Sequence, residues 1–301
     1  MNLIQTARKT ISEDRKYYRR KGRSQTVKST VKSLVHWLNP NLKNPVFIVG
    51  SPRSGTTFLG RCLETLPEFS YHFEPVATKA AAKHVYKGEW SAGKARFFYQ
   101  QAYASLMRLH FDGDLRFAEK TPRNCFLVDF LADTFPGARF IHIIRDGRDV
   151  ALSYSKKPWL QAAQAPSQKI EPGGYPYGPF ARFWVEAERV QEFETTSDIH
   201  RCIWAWRRFT EAVLMGGVQS SQESYLELRY EDLVSSPRLS SERLLDFLNI
   251  ENVRSRLQFK TATASANPQL IGQWRNELTA DQLSQIESEA GELLNQLGYV
   301  K

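Results

Sequence analysis

At 301 residues, 42% hydrophobic and 24% charged, the chain has the composition of a globular enzyme and enough length for one large core or two modest ones. Its formal charge of +9 is concentrated at one end: residues 1–40 carry ten Lys/Arg against Glu13 and Asp14, or +8, and residues 41–301 carry 31 basic against 30 acidic residues. A nearly neutral body with a basic leader is not a surface built to coat nucleic acid, and no run of about 20 apolar residues is present to cross a membrane.

In chain order, the first 44 residues read as a basic, partly helical leader. Val27, Val31, Leu34, Val35 and Leu38 recur at helical spacing, so residues 25–38 are expected to form a short amphipathic helix leaning on the body. The basic residues suit an acidic membrane surface, an anionic polymer or an acidic partner, or else a solvated terminus. No apolar stretch follows the early charges, so a secretory signal is not expected. Cys62, Cys125 and Cys202 are widely spaced with no CxxC pair, and read as reduced, packed thiols. Together these features point to the cytoplasm, free or peripheral at a membrane.

The body begins at Pro45 and runs to residue 301. Val46-Phe-Ile-Val49 is a continuous apolar run suited to a strand buried on both faces. Residues 50–55 form a turn-rich loop, and Phe58, Leu59, Cys62, Leu63 and Leu66 give a helical pattern that stops before Pro67. Strand, glycine-bounded loop and helix open an α/β nucleotide-binding domain. Helices are expected over 92–110 and 123–135, a second buried strand over 139–144, and a helix over 146–156. The stretch 157–180 holds Pro158, Pro166, Pro172, Pro176 and Pro179 with Gly173, Gly174 and Gly178, and reads as a lid or binding loop rather than a linker. Helices follow over 181–194 and 199–215, a strand over 224–229, and helices over 237–248 and 279–297. The fold class expected is α/β, a single domain with a P-loop-like parallel sheet flanked by helices.

Gly50-Ser-Pro-Arg-Ser-Gly55-Thr-Thr57 has the G-x-x-x-x-G spacing of a phosphate loop, placed between a buried strand and a helix. Backbone N–H groups of such a turn, together with the helix N-terminus behind it, hold an anion. Thr56 stands where a triphosphate hydrolase carries its Lys, and Arg53 is the only cation in the loop, so the site suits a smaller, less charged group than a triphosphate. Arg145 is the first residue past the second apolar run, where α/β folds bind ligands, and Ser153 lies two helical turns on. An Arg and a hydroxyl converging there suit a dianionic phosphate, although Arg145 has Asp146 and Asp149 as alternative partners.

These segments resemble the PAPS-dependent sulfotransferase family, whose donor is 3′-phosphoadenosine-5′-phosphosulfate (PAPS). Pro52-Arg53-Ser54-Gly55-Thr56-Thr57 matches the family's 5′-phosphosulfate loop, in the Arg form closer to the protein-tyrosine and bacterial branches. The resemblance runs from about Pro45 onward. It implies that Arg53, Ser54, Gly55, Thr56 and Thr57 bind the phosphosulfate and that Arg145 and Ser153 bind the 3′-phosphate. Tyr230, in Tyr-Glu-Asp-Leu, would touch the nucleotide. Residues 271–276 are similar to the segment that closes over PAPS, with Trp274 and Arg275 as weaker matches. Trp206 reads as core.

Sulfuryl transfer needs a base for the acceptor hydroxyl and cations for the charge that develops on the leaving phosphate. The resemblance assigns Glu74 as base, with His72 as the runner-up or as its hydrogen-bond partner, since the two share a face if the segment is extended. It assigns Lys120 and Arg53 as the cations and implies no metal; Glu119 orients Lys120 or is simply its ion-pair partner. Arg148 and Asp149 are expected to make local ion pairs. The implied acceptor is a small-molecule, lipid or glycan hydroxyl, or a protein tyrosine, and Trp159, Tyr175, Tyr177 and Phe180 in the long loop either stack on it or pack the loop down. A kinase of a small alcohol and an inactive nucleotide-binding protein are the alternatives. No nucleic-acid partner is expected.

Overall fold

A computed structural model describes Ser12 and residues 31–110, 112–217 and 223–299. Five strands, β1 (Val46–Val49), β2 (Phe69–Phe73), β3 (Arg116–Lys120), β4 (Arg139–Ile144) and β5 (Tyr225–Arg229), form one sheet in the order β2-β3-β1-β4-β5, every pairing parallel. β1 is central because its four residues have no exposed surface on either face; each such burial is worth about 1.5–3 kcal/mol. Phe47 and Val49 point into one core with Phe117, Phe140 and Ile144, while Val46 and Ile48 point into the other with Phe69, Tyr71, Ile141 and Leu228. Helices cover both faces, giving a single α/β domain.

The helix Thr56–Leu63 follows β1, Ala92–His110 matches the expected 92–110, and Gly147–Ser155 and Asp198–Leu214 fall where the periodicity puts them. Four expectations change. Residues 123–135 split into a 3-10 turn, Pro122–Leu127, and a short helix, Val128–Thr134. Residues 181–186 are not helical: Phe183, Trp184 and Val185 are buried in a turn closed by the Val185 N–H on the Arg182 carbonyl at 3.0 Å, and only Val190–Thr195 is α-helical. Strands β2 and β3 were not expected. The fourth change concerns the leader. Its described helix is Val31–Leu38, and Leu34, Val35 and Leu38 are 58%, 56% and 61% exposed. Arg108 donates to the carbonyls of Trp37 (3.0 Å) and Leu38 (3.0 Å), so the helix is held by its C-terminal backbone while these three apolar side chains stay exposed. Val27 and residues 25–30 lie outside the described residues.

The long loop carries a 3-10 turn, Ala162–Ser167, and an Ile170–Pro176 bridge. Arg123 clamps it, donating to Gly173 O (3.1 Å) and Glu171 Oε1 (2.9 Å), while Tyr175 lies with the Arg123 and Arg182 guanidinium carbons 5.0 and 5.1 Å from its ring centre. Trp159 and Tyr175 pack on the core, so these two fasten the loop; Phe180 stays exposed. The described helices include none long and apolar enough to cross a membrane. The three cysteines are free and buried.

Candidate active site

Each strand delivers one candidate residue at its carboxyl end. The Gly50–Gly55 loop follows β1, Glu74 follows β2, Lys120 ends β3, Arg145 follows β4 and Tyr230 follows β5. β1 connects toward one edge of the sheet and β4 toward the other, so their carboxyl ends flank the crevice where such sheets take ligands.

Around the loop the candidates touch. Arg53 has a left-handed backbone (φ 75°) and its Nε donates to Ser153 Oγ at 3.0 Å. Arg145 donates to Arg53 O at 3.2 Å and to Leu270 O, and its guanidinium carbon lies 4.8 Å from the centre of the Tyr230 ring. Gly55 (φ 92°) allows this closeness, since a Cβ there would sit 2.5 Å from the Tyr230 ring. Gly147 does the same for Trp206, whose buried indole N–H supports the Arg145 carbonyl at 3.0 Å. Trp206 is therefore core, as expected. Burial and the Arg145 charge both lower the pKa of Arg53: two guanidinium groups meet at one crevice, an arrangement that suits an anion. Two buried polar atoms there have no hydrogen-bond partner, Ser54 Oγ and Arg145 Nε, and the residues present fit a ligand bearing phosphate or sulfate oxygens.

The second half of the site lies at β2 and β3. Glu74 adopts φ 42° and its N–H donates to Lys120 O at 3.0 Å, which turns its carboxylate onto the Nζ of Lys120 and, at 2.6 Å, of Lys79. Burial alone would raise the Glu74 pKa, but the two ammonium groups outweigh it and hold the carboxyl well below the usual range. Lys120 is buried, its Nζ 4.0 Å from the centre of the Phe73 ring. Residues 119 and 120 alternate on β3, so Glu119 points away from Lys120 and accepts from Thr121 Oγ1 at 2.6 Å; burial pushes its pKa up to about 7. The carboxylate that grips Lys120 is that of Glu74. His72 does not share a face with Glu74 either, because the left-handed turn at Glu74 breaks the alternation. The His72 ring is fully buried, stacked 5.1 Å from Phe117 and hydrogen-bonded to Ser70 Oγ at 3.0 Å.

Sequence reasoning missed three contributors. Lys79 sits five residues after Glu74, a spacing with no motif. Cys125 accepts the Gly50 N–H at 3.1 Å, and burial pushes its thiol up to about 12, so it acts as a neutral support for the loop. Asp149 makes more than a local ion pair: its oxygens accept the N–H groups of Gly272 (2.7 Å) and Trp274 (3.1 Å), whereas Arg148 does pair locally, with Asp146 (2.8 Å). Elsewhere, Glu192, His200 and Glu289 place ligand atoms within 4.8 Å of one another, but Arg189 and Arg207 already bind Glu289, at 2.8 and 2.7 Å. Two surface grooves, of about 410 and 520 Å³, are lined by none of the strand-end residues.

The chain matches the model of the family described as "Sulfotransferase family" over residues 45–254. It is 23% identical over 218 residues, 68% of this chain, to Protein-tyrosine sulfotransferase A of Caenorhabditis elegans. It is 33% identical over 97 residues, 28% of this chain, to Carbohydrate sulfotransferase 4 of Mus musculus. The chain spans 50% of the length of the worm protein and 25% of that of the mouse protein. Sulfotransferase STF9 from Mycobacterium avium superposes with a TM-score of 0.53 at 12% identity, over 88% of this chain and 80% of that one. The sulfotransferase domain from the curacin biosynthetic pathway superposes with a TM-score of 0.52 at 16% identity, over 83% of this chain and 97% of that one. At such identities the two structures speak for the fold.

Proposed function

The chain belongs to the sulfotransferase family, and from that premise we propose that it transfers a sulfuryl group, in line, from PAPS to an acceptor hydroxyl. The observation that carries this reading is the meeting of Arg53, Ser153 and Arg145 at one crevice, because a donor with phosphate at both ends of its ribose needs cations and hydroxyls at two adjacent points. We assign the 5′-phosphosulfate to Arg53, Ser54, Gly55, Thr56 and Thr57, the 3′-phosphate to Arg145 and Ser153, and a nucleotide contact to Tyr230. The donor supplies the activated sulfur. The S–O bond to its phosphate breaks as the S–O bond to the acceptor oxygen forms, and the hydroxyl proton goes to Glu74. Arg53 and Lys120 hold the charge left on the phosphate side, so in this reading no metal is required.

Lys120 and Lys79 hold the Glu74 carboxyl below its ordinary range, and a carboxylate shared by two ammonium groups is a weak base. When Lys120 turns to the developing charge, Glu74 keeps Lys79 alone and gains basicity at the moment the proton moves. The acceptor class is a small molecule, lipid or glycan hydroxyl, with protein tyrosine the further possibility; the names of the two relatives span carbohydrate and tyrosine hydroxyls. We take residues 45–301 as the catalytic unit, working in the cytoplasm. Residues 1–44 then form a leader, and its exposed Leu34, Val35 and Leu38, in a sequence whose first 40 residues carry a net +8, support contact with an acidic membrane surface. Calorimetry in EDTA tests the donor: 3′,5′-adenosine bisphosphate (PAP) should bind and ATP should bind more weakly, and the reverse order overturns the reading. Transfer from ³⁵S-labelled PAPS to extract fractions, followed by mass spectrometry, identifies the acceptor.

A further inference from the structure

The Asp149 carboxylate is 1% exposed, and its hydrogen bonds reach a segment 123 residues away in sequence. Sequestering an ionised carboxylate costs several kcal/mol unless each oxygen is matched, and here each oxygen takes one backbone N–H, from Gly272 and from Trp274. The segment around them is not core. It comprises the 3-10 turn Pro268–Leu270, a left-handed Gly272 (φ 74°) and the short helix Trp274–Glu277, none of whose residues is buried. It has little burial of its own to hold it, so its position depends on polar ties to the helix Gly147–Ser155 and its neighbours. Arg145 takes the Leu270 carbonyl, Asp149 takes the two amides, the Arg148 guanidinium carbon lies 3.9 Å from the centre of the Trp274 ring, and Lys156 pairs with Glu277 at 2.5 Å. Asp149 also faces Arg145 at 3.7 Å, so one buried carboxylate links the segment to the cation assigned to the 3′-phosphate. Trp274 Nε1, buried and without a partner, is a further donor in this segment.

We propose that Asp149 is a positioning residue for the nucleotide: it fastens residues 268–277 beside Arg145, so that this segment is a preformed wall of the donor site and not a flap ordered only by the ligand. This rests on the reading of the chain as a PAPS enzyme. Hydrogen exchange on the full chain tests the anchoring directly. The Gly272 and Trp274 amides should be protected without ligand and should exchange faster in Asp149→Asn, in which an NH₂ faces one of the two amides. Amides of the unliganded wild type that become protected only when PAP is added overturn the preformed wall, and that measurement needs no variant. Calorimetry then tests the consequence. PAP affinity should fall about tenfold to hundredfold in Asp149→Asn and Asp149→Ala, the scale of losing a hydrogen bond to a charged group. Trypsin should cut at Arg275 in the PAP-bound variants faster than in the PAP-bound wild type. Variants that melt like the wild type and bind PAP equally well overturn the role of Asp149. A wild type that does not bind PAP overturns the sulfotransferase reading, whatever the amides show.

Discussion

Glu74 is the residue on which the proposed chemistry turns, and its surroundings set the sign of a pH test. Lys120 and Lys79 hold its pKa below the ordinary value despite burial, so the acidic limb of the kcat/KM profile should lie below the ~4.3 of a free Glu. Replacing Lys79 by Met removes one of the two charges that lower it, so the limb should move upward while PAP affinity stays the same. A limb that does not move would mean that Lys79 does not act on the group being titrated. Glu74→Gln should lower turnover about 10²–10⁴-fold with PAP binding intact. His72→Asn should instead act through stability, because its ring is buried behind the strand; a nearly dead but stable His72→Asn beside an active Glu74→Gln would hand the base role to His72. At the nucleotide end, Arg145→Ala should weaken PAP by about 2–5 kcal/mol, the range for truncating one partner of a buried charge pair, and should weaken AMP far less. Equal losses for the two ligands would remove Arg145 from the 3′-phosphate.

Among the elements, the loop between β1 and the helix Thr56–Leu63 makes the most exacting demand. Gly55 lies so close to Tyr230 that a methyl group would have to displace the ring, and the ring packs on Arg145. Gly55→Ala should therefore disturb the two assigned phosphate sites together, weakening PAP and AMP alike, in contrast to Arg145→Ala; PAP titrations of the two variants distinguish them. The elements also show what was legible in the sequence. β1, β4 and β5 could be read because an apolar run or an alternating pattern ended at a turn or cap signal. β2 and β3 could not, since Ser70, His72, Glu119 and Lys120 are buried polar residues inside strands, and a buried charge looks like a surface one until its partner is known. Of the leader helix expected over 25–38, Val31–Leu38 is helical, and its Leu34, Val35 and Leu38 are exposed rather than leaning on the body, because periodicity gives a stripe but not what faces it. Arg53 and Arg145 were legible from the loop spacing and from the end of an apolar run, whereas Glu74, Lys120 and Tyr230 were reached only through the family resemblance. Lys79, Cys125 and the long reach of Asp149 depend on contacts between distant segments, which local spacing does not encode.

Across the whole molecule, a nearly neutral body gathers Arg53, Lys79, Lys120 and Arg145 at the carboxyl end of its sheet, against the carboxylates of Glu74 and Asp149. A ligand with phosphate at both ends of its ribose would bridge residues from 53 to 230 and, through Asp149, residues 268–277. Contacts so far apart in sequence exist together only in the folded chain, so such a ligand stabilises the native state and gains nothing from the unfolded one. At a PAP concentration of about 100 Kd this linkage is worth roughly 2.7 kcal/mol. At about 2–4 °C per kcal/mol for a domain approaching this size, the melting temperature should rise by roughly 5–10 °C. The same cations do the neutralising, so EDTA should leave the shift unchanged, and ATP, lacking the 3′-phosphate, should produce a smaller one. A thermal-shift series with PAP, ATP and ATP plus Mg²⁺ checks all three. If ATP with Mg²⁺ gave the larger rise and PAP gave none, the strand-end cations would be serving a triphosphate, and phosphoryl transfer would replace sulfuryl transfer as the reading of this site.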